Sequence, residues 1–407
     1  MNKTLRDGID WVGYVDWTVR DFHGYNTDRG TTYNAYLVRD QRNALIDTVK
    51  AEYADRLIEQ VAALVPPASV HFIVCNHAEP DHAGSLARVM AACPNATLVC
   101  NRKCRDALSK HFEIDAWKIQ IVSNGETLSL GRRTLHFIDT PMAHWPESMM
   151  TYVPEDRLLF SMDVFGQHFA GAGYFDDDLK LPTVMAEARS YYANILMGYA
   201  KPVADVFRQT SGLEIRMIAP SHGVIWRSHV GSILSAYKDW IACRPKPKVL
   251  AIYDTMWGAT ARMAEAIIEG AAVDGVEARL IAVRASTLAE IAAETLDAAA
   301  IAFGSSTLNA AMMPMMAATL TYLKGLRPMG KAGFAFGSYG WGKHGPQAVH
   351  DAMQQMAVDI LRPPLMVQYR PKADALAECR AAGKMLAEKA VELASRADVV
   401  RADAAPS

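Results

Sequence analysis

The sequence predicts two α/β domains: a sandwich of two sheets covered by helices, followed by a doubly wound parallel sheet. The chain has 407 residues, which is too long for one ordinary hydrophobic core. Many short strand-like runs with helices between them come first, and a regular alternation of strand, loop and helix follows. Between these patterns, Pro245 and Pro247 alternate with basic residues, as in a linker. We therefore predict domains at residues 1–245 and 246–394, and a flexible tail at 395–407.

The strand predictions rest on short apolar runs rich in β-branched and aromatic residues. In the first domain these runs are "TTYNAYLV", "NALIDTV", "SVHFIVCN", "ATLVC", "KIQIVS", "TLHFIDTP", "SMMTYVP", "RLLFSMDVF" and "EIRMIAPS". Stretches with helical periodicity, such as "AEYADRLIEQVAALV" and "GSLARVMAAC", separate them. The second domain contains "KVLAIYD", "ATARMAEAIIEGAAVDG", "EARLIAV", "AAAIAFGSS" and "KAGFAFGSYG" in this order, which is the alternation of a parallel sheet.

Composition and charge exclude several classes of protein. Apolar residues make up 51% and charged residues 21%, as in ordinary globular proteins, and a net charge of −2 gives no reason to expect a nucleic-acid partner. The N-terminus lacks an apolar segment with a cleavage site, and no run is long enough to span a membrane, so we expect a cytoplasmic protein. The six cysteines form no Cys-x-x-Cys pair, which excludes a rubredoxin-like or zinc-ribbon module within this chain.

The segment "HAEPDHAGS" concentrates metal-ligating side chains directly after the strand-like run "VHFIVCN". It contains His77, Glu79, Asp81 and His82. Withdrawing carboxylates from water is costly unless cations or a metal compensate for it, so this crowding suggests a site. Because alternate side chains of an extended segment share a direction, we expect His77, Glu79 and Asp81 on one side, with His82 turning in beside them.

Three further candidate ligands each follow a strand-like run: His144, Asp163 and His222. Taken alone, His144 could be a hydrogen-bonded structural residue, and Asp163 could cap a turn. Together with the cluster at 77–82, these residues favour a site for two adjacent metals on the rim of a rigid scaffold.

The stretch "YDTMWGAT" lies between a predicted strand and a predicted helix and has the composition of a phosphate-binding loop. The hydroxyls of Thr255 and Thr260, the backbone N–H groups near Gly258 and the positive end of the helix would surround an anion. Two more loops, "GSSTLNAAMMP" and "GSYGWGKHG", each follow a strand at the edge where open α/β sheets bind ligands. Their aromatic residues could instead only cover the sheet edge.

Over nearly the whole chain, the sequence resembles the flavodiiron protein family. The resemblance rests on the pattern His-x-Glu-x-Asp-His, the later His, Asp and His, and the three loops. The resemblance implies a metallo-β-lactamase-like αββα sandwich followed by a flavodoxin-like domain. It also implies two iron ions, one held by His77, Glu79 and His144 and the other by Asp81, His82 and His222, with Asp163 as the bridge.

The same resemblance implies FMN in the second domain. The residues that match the flavodoxin loops are Thr255, Met256, Trp257, Gly258, Ala259, Thr260, Ser305, Ser306, Thr307, Leu308, Asn309, Ser338, Tyr339, Gly340, Trp341 and Gly342. Ala259 departs from the family pattern, in which a hydroxyl or amide residue is common, and this change would weaken phosphate binding somewhat.

The family also places a histidine and a tyrosine near the open face of the irons. His23 in "DFHGY" and Tyr191 in "RSYYAN" match them, and we predict that both are proton donors. His168 and Tyr192 lie close enough in the sequence to be mistaken for these two residues.

Ordinary hydrolases of the lactamase-like class have a histidine where this chain has Glu79. A carboxylate makes the site harder and more anionic, which favours iron over zinc. By the resemblance, we expect reduction of oxygen to water or of nitric oxide to nitrous oxide, with electrons from rubredoxin or another small carrier. The alternatives are a zinc hydrolase with an attached flavodoxin module, and an electron carrier whose metal site is only structural.

The resemblance finally implies a head-to-tail homodimer or a dimer of dimers. In this arrangement the FMN of one chain faces the irons of another chain, and the same contact occurs twice.

Overall fold

A computed structural model describes the backbone of residues 3–403 and the side chains of residues 3–397. The chain divides into two compact units. The first comprises the residues up to Tyr192 together with Tyr199–Lys238, and the second comprises Ala193–Gly198 and the residues from Asp239 onward. No helix in the described part of the chain combines the length and apolar character needed to cross a membrane.

Short strands and helices alternate along the first unit. Its strands are β1 (Thr4–Arg6), β2 (Ile9–Trp11), β3 (Tyr14–Asp16), β4 (Asp21–Phe22), β5 (Tyr25–Asn26), β6 (Thr31–Tyr33), β7 (Tyr36–Val38), β8 (Asn43–Ile46), β9 (Val70–Val74), β10 (Thr97–Asn101), β11 (Ile119–Val122), β12 (Thr127–Ser129), β13 (Thr134–Asp139), β14 (Met149–Val153), β15 (Leu158–Met162) and β16 (Met217–Pro220). Its helices are α1 (Ala54–Ala62), α2 (Pro80–Ala83), α3 (Leu86–Ala92), α4 (Arg102–His111), α5 (Leu181–Tyr191), α6 (Ala200–Thr210) and α7 (Val230–Ile241), of which α7 continues into the second unit.

Two mixed sheets form the centre of the first unit. One has the strand order β1-β2-β7-β8-β9-β10-β11 and the other β12-β13-β14-β15-β16. The strands from β8 to β11 are parallel, as are β15 and β16. Buried side chains of both sheets, including Val38, Val74, Phe137 and Phe160, form one core. The predicted αββα sandwich is confirmed.

The run "TTYNAYLV" forms two strands rather than the single strand predicted. β6 pairs with β3, whereas β7 pairs with β2 and β8. Between them, Asn34 donates its backbone N–H to the carbonyl of Ser221 and its side-chain amide to the carbonyl of Pro220, both at 2.8 Å. These bonds hold the bend against the loop that carries His222.

The second unit has the predicted doubly wound pattern. Its strands are β17 (Lys246–Asp254), β18 (Glu277–Ala282), β19 (Ala298–Ser305), β20 (Thr307–Leu308), β21 (Ala311–Met312), β22 (Ala332–Tyr339), β23 (Asp359–Ile360) and β24 (Leu365–Gln368). Its helices are α8 (Ala259–Ala271), α9 (Leu288–Asp297), α10 (Pro314–Leu326), α11 (His344–Gln355) and α12 (Ala373–Asp403). Short 3-10 or π-helical turns occur at Ala51–Tyr53, Pro67–Ser69, Tyr192–Leu196 and Met197–Tyr199.

A parallel sheet is the centre of the second unit. Its order is β18-β17-β19-β22-β23, and β24 also pairs with β22. Every residue of β19 is buried, as expected for a parallel strand that is covered on both faces. The predicted flavodoxin-like sheet is confirmed.

Two details of the predicted domain limits differ from the structure. β17 begins at Lys246, two residues before the predicted run "KVLAIYD", so part of the predicted linker already belongs to the sheet, with a register shift between Lys246 and Val249. At the other end, α12 continues to Asp403, into the segment predicted as a tail, because "VELASRADVV" is rich in residues with good helix propensity. Residues 404–407 lie outside the described part of the chain.

The close contact of α8 and α12 depends on two glycines. A Cβ atom on Gly383 would lie 1.9 Å from the carbonyl oxygen of Ile267, and one on Gly270 would lie 1.9 Å from that of Arg380. Both distances are far below van der Waals contact, so the two helices approach closely only because side chains are missing there.

We predict that Gly383→Ala destabilises the second unit by about 1–3 kcal/mol, because the two helices must separate to admit the methyl group. The measurement is hydrogen exchange of the most protected amides of α8 and α12. Gly325→Ala in α10 is the matched control, since no atom lies within 4 Å of its added Cβ. The control should stabilise its helix by up to about 1 kcal/mol, and a stabilising effect of Gly383→Ala would contradict the packing argument.

Candidate metal centre and flavin cavity

The chain changes from extended to helical within the cluster of candidate ligands. Glu79 has extended backbone angles, and Pro80 begins the short helix α2. Proline suits the first position of a helix because its missing N–H would have no partner there. The helical turn brings Asp81 and His82 together with His222 rather than with Glu79. The expectation that Asp81 shares the direction of Glu79 is therefore wrong, because the extended segment ends at Pro80.

The first group of ligands consists of His77, Glu79, His144 and Asp163, whose ligand atoms all lie within 4.8 Å of one another. Oε2 of Glu79 is 3.0 Å from Nε2 of His77 and 3.2 Å from Nε2 of His144. Oδ2 of Asp163 is 3.5 Å and 3.3 Å from the same two nitrogens. The four side chains thus converge on one small volume.

The second group consists of Asp81, His82 and His222, again within 4.8 Å. Oδ2 of Asp81 is 3.1 Å from Nε2 of His222. Oδ1 of Asp163 is 3.2 Å from Nε2 of His82 and 3.4 Å from Nε2 of His222. Asp163 therefore lies between the groups, because each of its oxygens faces a different one.

Three buried atoms of this centre have no hydrogen-bond partner in the described part of the chain: Oδ1 of Asp81, Nε2 of His82 and Oδ2 of Asp163. Buried polar atoms nearly always have a partner, and leaving one without costs about 1–3 kcal/mol. Two metal cations at the points of convergence would provide the missing partners. Imidazoles combined with carboxylates are a donor set that suits iron.

Charges within the centre shift the pKa of its members. Burial lowers the pKa of His144, but the carboxylates of Asp163 and Glu79 outweigh it and raise this pKa to about 10. For Asp163 the directions are reversed: burial raises its pKa, but His82 and His144 hold this pKa well below its ordinary value. The centre therefore attracts positive charge, and metal cations must displace protons from the histidines.

Contacts outside the centre orient its histidines. Nδ1 of His77 is 2.8 Å from Oε1 of Glu147, and Nδ1 of His222 is 2.6 Å from the carbonyl oxygen of Thr32. A hydrogen on Nδ1 leaves Nε2 with a lone pair for a metal, so these partners fix both the tautomer and the ring orientation. The sequence alone does not reveal Glu147, because nothing in the spacing of "HWPES" indicates contact with His77.

The two predicted proton donors contact the carboxylates from different elements. Nε2 of His23 lies 3.0 Å from Oε1 of Glu79, and 54% of the His23 side chain is exposed. The hydrogen bond with Glu79 raises the pKa of His23 above its ordinary value. The buried hydroxyl of Tyr191, at the end of α5, donates to Oδ1 of Asp163 at 3.0 Å.

The sequence neighbours of these donors have other positions. Tyr192 is fully buried, and its ring packs edge-on against Tyr237 with centroids 5.1 Å apart. His168 lies beside His222, with ring centroids 5.3 Å apart. Burial, reinforced by His222, holds the pKa of His168 well below its ordinary value. Within the described residues, His168 belongs to neither ligand group.

A cavity of about 1010 Å³ lies at the carboxyl ends of β17, β19, β22 and β24. Most residues predicted to bind FMN line it: Met256, Trp257, Gly258, Ala259, Ser306, Thr307, Leu308, Asn309, Ser338, Tyr339, Gly340, Trp341 and Gly342. Trp257 is 90% and Trp341 94% exposed. Aromatic surface of this kind, open to solvent beside a cavity, fits a planar ring that would stack on it.

Three predicted cofactor residues lie outside the cavity wall: Thr255, Thr260 and Ser305. Thr255 accepts the N–H of Gly258 at 3.1 Å and so closes its own turn. Ser305 accepts the N–H of Met313 at 2.8 Å and is fully buried. Their hydroxyls shape the loops from within, which spacing alone does not distinguish from ligand contact.

Thr260 links the three cofactor loops. Its buried hydroxyl lies 2.9 Å from that of Ser306 and 3.0 Å from that of Ser338. It also accepts the N–H of Ser338 at 3.3 Å. One side chain at the start of α8 therefore holds the loops after β19 and β22 in place.

Seven residues of the cavity wall are not among the predicted cofactor residues: Ala261, Arg262, Glu265, Ala310, His344, Tyr369 and Arg370. Tyr369 and Arg370 directly follow β24, a strand that is absent from the sequence predictions. The apolar run "PLMVQYRP", bounded by prolines, is the signal that could have revealed this strand.

Comparisons with known proteins agree with both domains. A family model described as ODP family beta lactamase matches residues 31–223, and the model described as flavodoxin matches residues 252–383. A nitric oxide reductase of Moorella thermoacetica is 40% identical over 390 residues, covering 95% of this chain and 98% of the relative. A rubredoxin-oxygen oxidoreductase of Megalodesulfovibrio gigas is 38% identical over 370 residues, covering 90% and 92%. The crystal structure of the flavodiiron protein from Giardia intestinalis has a TM-score of 0.95 at 36% identity, covering 98% of each chain.

This chain belongs to the flavodiiron protein family. As in the family, the cofactors of this flavodiiron protein are FMN and two iron ions, to which the cavity and the two ligand groups correspond. The predicted family, fold class and cofactors are thereby confirmed.

We predict that Thr260→Val in this flavodiiron protein weakens FMN binding about tenfold or more, because the loss of the shared hydroxyl leaves Ser306 and Ser338 only the longer contact of 3.4 Å between their own hydroxyls. Titration of the FMN-free protein with FMN, followed by flavin fluorescence, measures this effect. Thr319→Val is the matched control, since its hydroxyl donates to the carbonyl of Met315 in its own helix. An unchanged dissociation constant in Thr260→Val would contradict the role given to this residue.

Proposed function

We propose that this protein reduces oxygen to water, nitric oxide to nitrous oxide, or both, at a di-iron centre supplied with electrons by FMN. The observation that carries this proposal is the occurrence, in one chain, of two ligand groups with Asp163 between them and of a flavin cavity. A two-electron flavin combined with two metals suits the multi-electron reduction of a small diatomic gas. The activities named for the two relatives, nitric oxide reductase and rubredoxin-oxygen oxidoreductase, support it.

The role of the protein is to hold the two metals at a fixed separation. When bound, FMN would supply electrons, and the iron ions would bind the gas and pass the electrons to it. We assign His77, Glu79 and His144 to one iron, and Asp81, His82 and His222 to the other, with Asp163 shared between them. The distances from the two oxygens of Asp163 to the separate groups support this assignment.

Glu79 distinguishes this centre from that of a zinc hydrolase. With Asp81 and Asp163 it brings three carboxylates to the centre, which offset most of the charge of two divalent cations and favour iron. The oxidoreductase activities named for both relatives argue against the hydrolase alternative.

We assign proton supply to His23 and Tyr191. His23 is half exposed, so it can exchange protons with water, and its contact with Glu79 keeps it at the edge of the centre. Tyr191 is buried, and its hydrogen bond to Asp163 keeps its hydroxyl directed toward the centre. Burial raises the pKa of Tyr191, so its hydroxyl retains the proton at neutral pH.

We propose that the electron donor is rubredoxin or a similar small carrier, as the name of the relative from Megalodesulfovibrio gigas suggests. We also propose a head-to-tail homodimer, or a dimer of such dimers, in which the FMN of one chain faces the irons of another. Electron transfer requires close approach, and a two-fold arrangement provides two equivalent pairs of sites.

Mixing two inactive variants tests the dimer. Asp163→Ala lacks the shared carboxylate, and Ala259→Trp fills the flavin cavity, whose wall includes Ala259. After subunit exchange, each mixed dimer would contain one intact cavity facing one intact centre, so we predict recovery of roughly a quarter of the wild-type activity. An inactive mixture, with exchange demonstrated by native mass spectrometry, would rule out the cross-chain arrangement.

Replacement of Glu79 tests the gas-reduction proposal. We predict that Glu79→His binds zinc in preference to iron and reduces either gas at least about tenfold more slowly, while FMN remains bound. Metal analysis and anaerobic stopped-flow mixing of the reduced protein with oxygen or nitric oxide measure both effects. Glu59→His, on the exposed face of α1, is the matched control and should behave as wild type. Wild-type iron content and rate in Glu79→His would refute the proposal, as would an unreactive wild-type protein loaded with both cofactors.

A further inference from the structure

His168 is buried beside the metal centre, outside both ligand groups, and connects two strands. Its Nε2 is 2.8 Å from the hydroxyl of Tyr25 in β5, and its Nδ1 is 2.8 Å from the hydroxyl of Thr31 in β6. Both partners are also buried. Because a hydroxyl can donate or accept, the imidazole bridges the two strands in either tautomer.

The segment that carries His168 is fixed on both sides. The N–H of Gln167 donates to the carbonyl of His222 at 3.1 Å, and the N–H of Ala170 donates to the carbonyl of Arg29 at 2.8 Å. The amide oxygen of Gln167 additionally accepts the N–H of Val224 at 2.8 Å. His168 is therefore a firm attachment point next to a metal ligand.

The hairpin of β4 and β5 is short, and its own hydrogen bonds include the N–H of Gly24 to Oδ1 of Asp21 at 2.9 Å and the N–H of Thr27 to the carbonyl of Arg20 at 3.1 Å. Each strand has two residues, and the turn between them places His23 and Gly24 at φ values of 55° and 83°. A hairpin this short is marginal in water without packing against other elements. Nevertheless, its exposed tip must hold Nε2 of His23 at 3.0 Å from Glu79.

The residues on either side of the hairpin tip both contact His168. The ring of Phe22 lies 4.5 Å from the imidazole of His168 and also 4.5 Å from that of His23, measured between centroids. Tyr25, on the other strand, supplies the hydrogen bond. The contacts with His168 therefore hold Phe22 and Tyr25, the two residues that flank the tip that carries His23.

We propose that His168 is a positioning residue for gas reduction: through Tyr25 and Phe22 it fixes the hairpin so that His23 stays within hydrogen-bond distance of Glu79. This inference rests on the proposed function, in which His23 supplies protons. His168 itself contacts neither the gas nor the metals in this account and acts only through the hairpin.

The first test removes a single hydroxyl with Tyr25→Phe in the full-length protein loaded with FMN and iron. We expect hydrogen exchange of the amides at 21–26 to accelerate about tenfold or more, and kcat for gas reduction to fall about tenfold, with unchanged KM for the gas and unchanged iron content. Tyr152→Phe is the matched control, because its hydroxyl donates to the carbonyl of Glu214 away from the hairpin. It should leave both readouts as in wild type.

The second test compares two amide replacements of His168. The amide nitrogen of Gln reaches the position of Nε2 and keeps the bond to Tyr25, whereas Asn reaches only the position of Nδ1, near Thr31. We therefore expect His168→Gln to retain most of the hairpin protection and kcat, and His168→Asn to lose as much as Tyr25→Phe. A purely packing role would not produce this order. In a His23→Ala background, Tyr25→Phe should cause no further loss of kcat, because the positioned group is already gone.

Two outcomes overturn the inference: wild-type exchange and kcat in Tyr25→Phe, or losses of Tyr25→Phe and His23→Ala that multiply in the double variant. Failure of the proposed function is distinguishable from both. A wild-type protein that contains both cofactors but does not reduce either gas would refute the function, while hydrogen exchange at 21–26 would still report whether His168 fixes the hairpin.

Discussion

The carboxylate of Asp163, buried between two groups of ligands, is the constraint on which the rest of the structure depends. Its oxygens face His77 and His144 on one side and His82 and His222 on the other. A buried carboxylate is stable only when cations compensate its charge, and removal of one partner would leave the remaining charges uncompensated. The centre is therefore functional only as a unit, and the scaffold has to bring together segments that are distant in the sequence.

Polar cross-links between the two sheets meet this requirement. Asn76, one residue before the first ligand, donates its backbone N–H at 2.7 Å and its side-chain amide at 2.8 Å to the carboxylate of Asp47, at the end of β8. Its side-chain oxygen accepts the hydroxyl of Thr151 in β14 at 2.8 Å. One amide thus joins both sheets where the ligand loop leaves β9. A similar polar cross-link supports the flavin cavity. Thr260 connects three loops through hydroxyl contacts and does not itself line the cavity.

The sequence predicts the two folds, because apolar periodicity reports burial, and it selects the candidate ligands, because a run such as "HAEPDH" would be too costly without a metal. It could not predict interactions that depend on the path of the chain. Glu147 reaches His77 across 70 residues. An extended segment would put Asp81 beside Glu79, whereas the helix that begins at Pro80 turns Asp81 toward His222, as the family resemblance implies. Thr260 matches a phosphate-loop pattern, yet its hydroxyl contacts Ser306 and Ser338. This contact follows from the fold and is not visible in the sequence. Residues 395–407 are predicted to be a flexible tail, but the first residues of this segment continue the helix α12.

The central claim is that two irons share Asp163, and anomalous diffraction at the iron edge from crystals of the metal-loaded protein tests it most directly. We predict two iron peaks per chain, one bounded by His77, Glu79 and His144 and the other by Asp81, His82 and His222, with one oxygen of Asp163 bound to each. A single peak, peaks that appear at the zinc edge instead, or an Asp163 carboxylate that binds only one metal would contradict the account.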